Sequence, residues 1–341
     1  STPRRLTWRA DRTRVKREAS PSDRLDIDSM MISDSTFCSI MSAKQRLAHG
    51  ALWSRVQRRQ EEALASGALK PIDTALEFIE DDGVRFLVRV VANLARKDAD
   101  RLRQVEQSRS SGASTNPFLP YEEALFVADL STTHLALLNK FNVIDHHLLI
   151  VTRRFVQQET LLDLADFQAL CQVLAEREGL GFYNGGAAAG ASQPHKHLQW
   201  VPLPLVDAMP WGPFDTLLRD AVRGGAETVP GLPFRHAFAV LDPALVERPF
   251  ALAEVLHERY QTLLQRLGIG PIRIDGEIRQ SGPYNLLVTR DWLLLVPRRQ
   301  EEFAGISINA LGFVGSLFVR NRAQLDTLKS RGPMAVLRAV T

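Results

Sequence analysis

Residues 183–199 read Tyr183-Asn184-Gly185-Gly186-Ala187-Ala188-Ala189-Gly190-Ala191-Ser192-Gln193-Pro194-His195-Lys196-His197-Leu198-Gln199, a run of small residues that gives way to polar residues at every second position. Glycine and alanine let a backbone approach an anion closely, because no bulky side chain holds it away. The loop leads into a predicted strand on which His195, His197 and Gln199 alternate. Side chains two apart on a strand share a face, so two imidazoles and a carboxamide project together beside a potential phosphate cradle.

That constellation suits transfer of a phosphoryl or nucleotidyl group. A neutral imidazole is a competent nucleophile towards phosphorus, and its ordinary pKa of about 6.5 leaves much of it neutral at pH 7. A histidine-linked intermediate splits one difficult displacement into two easier ones. The remaining demand is in-line positioning and stabilisation of charge on the non-bridging oxygens. Backbone amides of residues 185–192, the Ser192 hydroxyl and the amides of Gln193 and Gln199 can supply those donors. Zinc is the usual rival for a His-x-His pair. Gln199 is a poor zinc ligand, however, and neither Cys38 nor Cys171 lies nearby in sequence. The plainest alternative is an accidental histidine pair after a flexible connection.

Around this segment the chain alternates strand-sized and helix-sized patterns. Ser42 is placed to cap a helix running to about Leu64, closed by Gly67. Residues 84–94 and 125–130 read as strands, and 135–153 as two strands joined by a short polar turn at Asp145 and His146. Residues 101–116 are loop-like. Leu164, Phe167, Leu170, Cys171 and Leu174 recur at helical spacing and predict a helix over 163–177. A short strand follows from Gly179, then the small-residue loop and the histidine strand, which Pro202, Pro204 and Pro210 end. Residues 251–267 predict another amphipathic helix. A weak internal echo relates Phe141-Asn142 and the strand ending at Arg153-Arg154 to Tyr284-Asn285 and the strand ending at Arg298-Arg299. If it is a duplication, the chain holds two similar half-sheets.

Composition bounds the rest. Of 341 residues, 45% are apolar and 24% charged, the balance of an ordinary globular protein. No apolar run is long enough for a membrane span. Two cysteines argue against a disulfide framework or a cysteine-rich zinc site and suit a reducing cytoplasm. A net charge of +3 is too slight to imply nucleic acid as a partner. Residues 1–40 carry many arginines and little apolar periodicity, while Asp11, Glu18, Asp23, Asp26 and Asp28 argue against a targeting peptide. A disordered extension is expected there, with the folded chain starting near Met41.

The pattern Asn184-Gly185 through Gly190-x-Ser192-x-Pro194-His195-x-His197-x-Gln199 resembles the active-site strand of the histidine-triad superfamily, in its nucleotidyltransferase branch. Hydrolases of that superfamily usually carry a third histidine where Gln199 stands. The wording His195-Lys196-His197-Leu198-Gln199 is closest to the diadenosine tetraphosphate phosphorylases, also called ATP adenylyltransferases. Residues 138–151 resemble the strand pair that holds the nucleotide ribose. Residues 284–289, 295–298 and 307–313 resemble the distinctive second half of the phosphorylases. Alanines at 187, 188, 189 and 191 depart from relatives that use serine, which weakens the side-chain share of the loop's hydrogen bonding but not its backbone share.

The resemblance implies an α+β, histidine-triad-like fold of two related antiparallel half-sheets with packed helices. Residues 41–341 would form one catalytic unit, in two stretches of about 41–205 and 206–341. The implied reaction is phosphorolysis of diadenosine tetraphosphate to ATP and ADP. By the same resemblance His197 carries the adenylyl group, His195 orients or stabilises the site, and Gln199 holds a phosphate oxygen. Asn139 fits the ribose position, or is a turn-forming asparagine. Lys140 is either a polyphosphate contact or an exposed lysine. Asn184, Gly185, Gly190, Ser192 and Gln193 belong to the phosphate loop, and His147 is read as structural. Arg298 and Arg299 either neutralise phosphate or are solvated at a strand end. A divalent cation, Mg2+, is expected to arrive with the nucleotide, with no organic cofactor and no metal site of the protein's own. The alternatives are a hexose-1-phosphate uridylyltransferase-like enzyme, a dinucleoside polyphosphate hydrolase, or a non-catalytic nucleotide-binding module. Lys196 and Leu198 stand where uridylyltransferases typically have proline and glycine.

Overall fold

The apolar runs of the sequence pair into one long antiparallel sheet. A computed structural model describes residues 50–91, 116–209 and 212–341, all within a compact unit spanning 48–341. Its strands are β1 (Thr74–Asp81), β2 (Val84–Val91), β3 (Phe126–Asp129), β4 (His134–Leu138), β5 (Leu148–Thr152), β6 (Gly179–Gly185), β7 (His197–Pro202), β8 (Ala237–Val240), β9 (Pro271–Ile274), β10 (Glu277–Gln280), β11 (Tyr284–Val288), β12 (Trp292–Pro297), β13 (Glu302–Phe303), β14 (Ile306–Ser307) and β15 (Ser316–Val319). The helices are α1 (Ala51–Ser66), α2 (Leu164–Glu176), α3 (Asp215–Arg223), α4 (Pro249–Arg266), α5 (Arg322–Arg331) and α6 (Pro333–Ala339). The expected Ser42 cap, the strand end at 92–94 and the extension at 1–40 lie outside the described residues, as does all of the 101–116 loop except Asn116.

The main sheet runs β3-β4-β5-β7-β6-β11-β12-β8, with every neighbouring pair antiparallel. The fold is the α+β, histidine-triad-like one, and its two half-sheets join where β6 meets β11, Asn184 lying opposite Asn285. A smaller sheet also crosses the chain's length, with β15 running parallel to β2 beside the β1–β2 hairpin. β1 had no counterpart in the sequence reading. The two aromatic–Asn pairs of the echo fall differently, since Phe141-Asn142 sits in the β4–β5 connection and Tyr284-Asn285 opens β11.

That connection is longer than the short turn expected at Asp145 and His146. It spans residues 139–147 and closes where Asn139 N–H reaches the His147 carbonyl. The backbones of Lys70 and Ile72 bond to Lys140 and Asn142 along it, so the segment before β1 stabilises the extra length.

Helix α2 backs the histidine strand. Asp163 caps it, accepting from Asp166 N–H while the Asp166 carboxylate accepts from Asp163 N–H, a reciprocal cap that contributes roughly 1 kcal/mol. Gly181 of β6 lets the helix come close, because a Cβ there would stand 2.7 Å from Leu170. The opposite face of the sheet divides into two apolar clusters. The larger joins Phe182, Leu287, Leu294 and Val296 to the small sheet and the C-terminal segments through Phe86, Val88, Leu311 and Phe313. The smaller holds Phe118, Leu135, Leu137, Leu149 and Val151, with Tyr121 and Phe126 partly buried against it.

Candidate active site

The histidine strand sits where the two clusters meet. His197 lies opposite Val151 of β5, while Gln199 lies between Leu149 of β5 and Phe182 of β6. Directly opposite residues of an antiparallel pair share a face, so His197 and Gln199 project with Leu149 and Val151. The alternation read from the sequence holds, but β7 begins only at His197. His195 makes an isolated bridge with Gln157, because residues 194–196 bond to 156–158 rather than to β6, which has already turned away into its loop.

Each imidazole is oriented by carbonyl groups that can only accept. His197 Nδ1 lies 2.8 Å from the His195 carbonyl. It must therefore donate, which leaves Nε2 as the lone-pair nitrogen. Among the described residues Nε2 forms no hydrogen bond. Burial lowers the His197 pKa to about 4, against the upward pull of the His195 carbonyl, so the ring is neutral at pH 7. His195 is fully used. Its Nε2 lies 2.9 Å from the Thr152 carbonyl and 3.1 Å from that of Arg154, while Nδ1 accepts from Asn116 Nδ2 at 2.8 Å. Asn116 is turned that way because its Oδ1 accepts Phe118 N–H. Phe118 packs its ring 5.6 Å from that of His195 and 5.2 Å from that of His197.

Gln199 is held by a partner. Its Oε1 accepts from His147 Nε2 at 3.0 Å, and His147 Nδ1 lies 3.2 Å from Asn139 Nδ2. Asn139 is thus half-buried at the end of the same face, two residues from Leu137, in contact with the site through His147. Lys140 points elsewhere, in an ion pair with Glu122 at 2.7 Å.

Two supporting groups were not visible from sequence. The buried Gln158 side chain fills the gap where β6 and β7 part. Its Oε1 accepts His197 N–H at 2.9 Å and its Nε2 donates to the Asn184 carbonyl at 2.9 Å, replacing the ladder bonds missing there. On the opposite face Lys196, between the two histidines, makes a close ion pair with Asp166, whose other oxygen lies 3.0 Å from His134 Nε2. Burial alone would raise the Asp166 pKa, but Lys196 and His134 outweigh it and hold it below the usual carboxylate range.

The small-residue loop is built into the second half of the chain. Asn184 Oδ1 accepts from Asn285 Nδ2 at 2.8 Å and from Ala310 N–H at 2.9 Å. Gln280 Nε2 donates to the Gly185 carbonyl at 2.6 Å. Gly190 has φ +88°, and a Cβ there would stand 2.9 Å from the Ile308 carbonyl oxygen. The amides of Gly186, Ala189, Gly190 and Ala191 close turns within the loop. Those of Ala187, Ala188, Ser192 and Gln193, with the Ser192 and Gln193 side chains, make no hydrogen bond among the described residues and remain as donors. Arg298 answers neither sequence expectation. It is buried, donating to Asn285 Oδ1 and to the carbonyls of Gln300, Glu301, Ile308 and Val340, and burial lowers its pKa to about 10. It therefore staples the strand end that the loop leans on.

A separate cavity of 390 Å³, lined by Glu178, Leu203, Phe214 and Trp292 among others, lies at the far ends of β6 and β7 from the histidines. No group of three or more His, Cys, Asp or Glu side chains among the described residues is arranged to hold a metal.

Both halves of the chain match known protein families. Residues 42–220 match the family described as Ap4A phosphorylase N-terminal domain, and residues 230–341 match the ATP adenylyltransferase C-terminal domain. Diadenosine 5',5'''-P1,P4-tetraphosphate phosphorylase 2 of Saccharomyces cerevisiae is 29% identical over 249 residues, covering 67% of this chain and 75% of that protein. Protein APA1 of the same yeast is 29% identical over 205 residues, 54% of this chain and 61% of its own. The crystal structure of yeast Ap4A phosphorylase Apa2 superposes with a TM-score of 0.67 at 22% identity, covering 86% of this chain and 97% of that one. The Apa2 structure in complex with Ap4A gives a TM-score of 0.64 at 23% identity, with the same coverages.

Proposed function

We propose that His197 carries the adenylyl group in the reaction of the family to which this chain belongs, the Ap4A phosphorylases and ATP adenylyltransferases. The protein is a nucleotidyltransferase that converts diadenosine tetraphosphate and phosphate into ATP and ADP. The observation that carries the His197 assignment is the bond from its Nδ1 to the His195 carbonyl, which turns the Nε2 lone pair outward on a ring that burial keeps neutral.

In the first half-reaction Nε2 attacks the α-phosphorus of one adenylyl group. A nitrogen–phosphorus bond forms, the bond to the bridging oxygen breaks, and ATP leaves. In the second, an oxygen of inorganic phosphate attacks the same phosphorus, the nitrogen–phosphorus bond breaks, and ADP leaves with Nε2 restored. His195 is a positioning group, since both its nitrogens are engaged by the protein. Gln199 presents its amide hydrogens to the phosphoryl oxygens. The remaining donors of Ala187, Ala188, Ser192 and Gln193 meet the polyphosphate through the backbone, with Asn184, Gly185 and Gly190 shaping the loop from behind. Asn139 faces the ribose hydroxyls, and the small cluster around Leu137, Leu149 and Val151 lies beside the base. Lys140 reaches substrate only by leaving Glu122. A divalent cation, Mg2+, enters as part of the nucleotide complex. We place the enzyme in the cytoplasm, on the strength of its two cysteines, and its partners are these small molecules. No helix among the described residues is long and apolar enough to cross a membrane.

Product analysis with diadenosine tetraphosphate, with and without inorganic phosphate, tests the reading. ATP and ADP should form only when phosphate is supplied. ATP and AMP formed in phosphate-free buffer would identify a hydrolase instead.

A further inference from the structure

We infer that His147 is a positioning residue that fixes which end of the Gln199 carboxamide faces the transferred phosphoryl group. An amide has an accepting end and a donating end, and only the donating end stabilises phosphoryl oxygens. Among the described residues no main-chain group bonds the Gln199 side chain to settle that choice. It is settled from a distance, by a relay whose polarity starts at a backbone N–H.

The relay passes along the strand ends. Phe141 N–H can only donate, and it donates to Asn139 Oδ1 at 3.3 Å. Asn139 therefore turns its Nδ2 towards His147 Nδ1, at 3.2 Å, where a hydrogen must be given. Nδ1 then accepts, so the His147 proton resides on Nε2. From there it is donated to Gln199 Oε1 at 3.0 Å, which leaves the Gln199 amide hydrogens for the substrate. Every link is directional, and reversing any one would present a carbonyl oxygen to an anion. His147 and Gln199 are buried, and Asn139 half-buried, so solvent competes little for these bonds. Asn139 thereby joins the sugar end of the site to the transfer end, through a histidine that touches neither in the proposed chemistry.

The inference rests on the reading that Gln199 meets phosphoryl oxygens, but its structural core is tested without turnover. In the wild-type chain labelled with 15N-histidine, long-range 1H–15N correlation should show His147 as the Nε2–H tautomer at neutral pH. A His147 protonated on Nδ1 alone would reverse the relay and overturn the inference, whatever reaction the enzyme performs. The kinetic arm uses two variants of similar size. His147→Gln places an amide donor near the position of Nε2, whereas His147→Asn places one near Nδ1. His147→Gln should keep kcat within about threefold, and His147→Asn should lose about tenfold or more in kcat with little change in KM. In a Gln199→Met background the two should become indistinguishable, because a residue acting through Gln199 has nothing left to act on. Equal losses in both single variants, or an undiminished His147→Asn loss in the Gln199→Met background, would reduce His147 to a packing residue.

Discussion

The Nδ1 atom of His197 stands 2.8 Å from the carbonyl oxygen of His195. The tautomer of the second histidine is therefore set by the backbone of the first, not by its ring. The His195 ring has a different task. Through the Thr152 and Arg154 carbonyls and Asn116 it pins the start of β7 to β5 and to the segment before Phe118. This division separates the effects expected from replacing each histidine.

The pH response follows from burial. His197 carries a pKa of about 4, so its neutral form persists until the pH approaches that value. Adenylyl transfer to the protein, followed without phosphate, should show no His197 inflection near pH 6.5. Stability moves the other way on acidification. Below about 6.5 the unfolded chain takes up a proton that the folded chain refuses until about 4, so stability present above 6.5 is lost across that interval. The gap corresponds to a loss on the order of 3 kcal/mol. His146, His195 and His236 are lowered too, and add in the same direction. Urea midpoints measured from pH 7 to pH 4 should fall, and His197→Gln should flatten the slope. An unchanged slope would mean that His197 is not buried in solution.

Lys196 anchors the strand from behind. Lys196→Met leaves the Asp166 carboxylate buried without its cation, which should cost about 3–5 kcal/mol near neutral pH. Because the stranded carboxylate can neutralise itself by taking up a proton, the penalty should shrink as pH falls. Denaturant unfolding at pH 7 and pH 5 measures both effects. A loss below about 1 kcal/mol would place the pair in solvent rather than in the core.

Gly190 combines φ +88° with the Ile308 carbonyl 2.9 Å from where a Cβ would sit. Gly190→Ala should therefore destabilise by about 1–3 kcal/mol and raise KM as the loop is pushed from its seat. Ala187→Gly, at an exposed position in the same loop, should change stability far less. Equal effects at the two positions would show that the loop is not seated on residues 308–309.

Replacing Gln199 should separate phosphorolysis from hydrolysis. A carboxamide can donate to phosphoryl oxygens but cannot serve as a base for water at neutral pH. Gln199→His supplies such a base and should raise phosphate-independent AMP release by about tenfold or more. Release that stays at the wild-type level would detach the glutamine from the choice of acceptor.

Much of this site was legible in the chain because it depends on local rules. Period-two alternation put His197 and Gln199 on one face, Gly67 and Asp163 marked the helix ends observed for α1 and α2, and the glycines announced the loop. What stayed hidden depends on residues far apart in sequence. Gln158 lies 39 positions from His197 and has no periodic partner that would flag it. Asp166 reads as an ordinary first-turn acid, yet it pairs with a lysine 30 positions away. Arg298 reads as a phosphate contact or a solvated strand-end arginine, yet it bonds the carbonyl of Val340, 42 positions away. The His147 side chain was visible as a strand-start histidine, but its direction of donation depends on the Asx-type bond at Asn139, which no spacing rule reports.

If adenylate passes through Nε2 of His197, it should be trapped there when no acceptor is present. The direct test is to incubate the enzyme with adenine-labelled diadenosine tetraphosphate in phosphate-free buffer and locate the label by peptide mass spectrometry. An acid-labile AMP adduct should appear on His197, persist in His195→Ala, vanish in His197→Ala, and discharge as ADP when phosphate is added. Label on His195, or an adduct that survives His197→Ala, would remove His197 from the transfer.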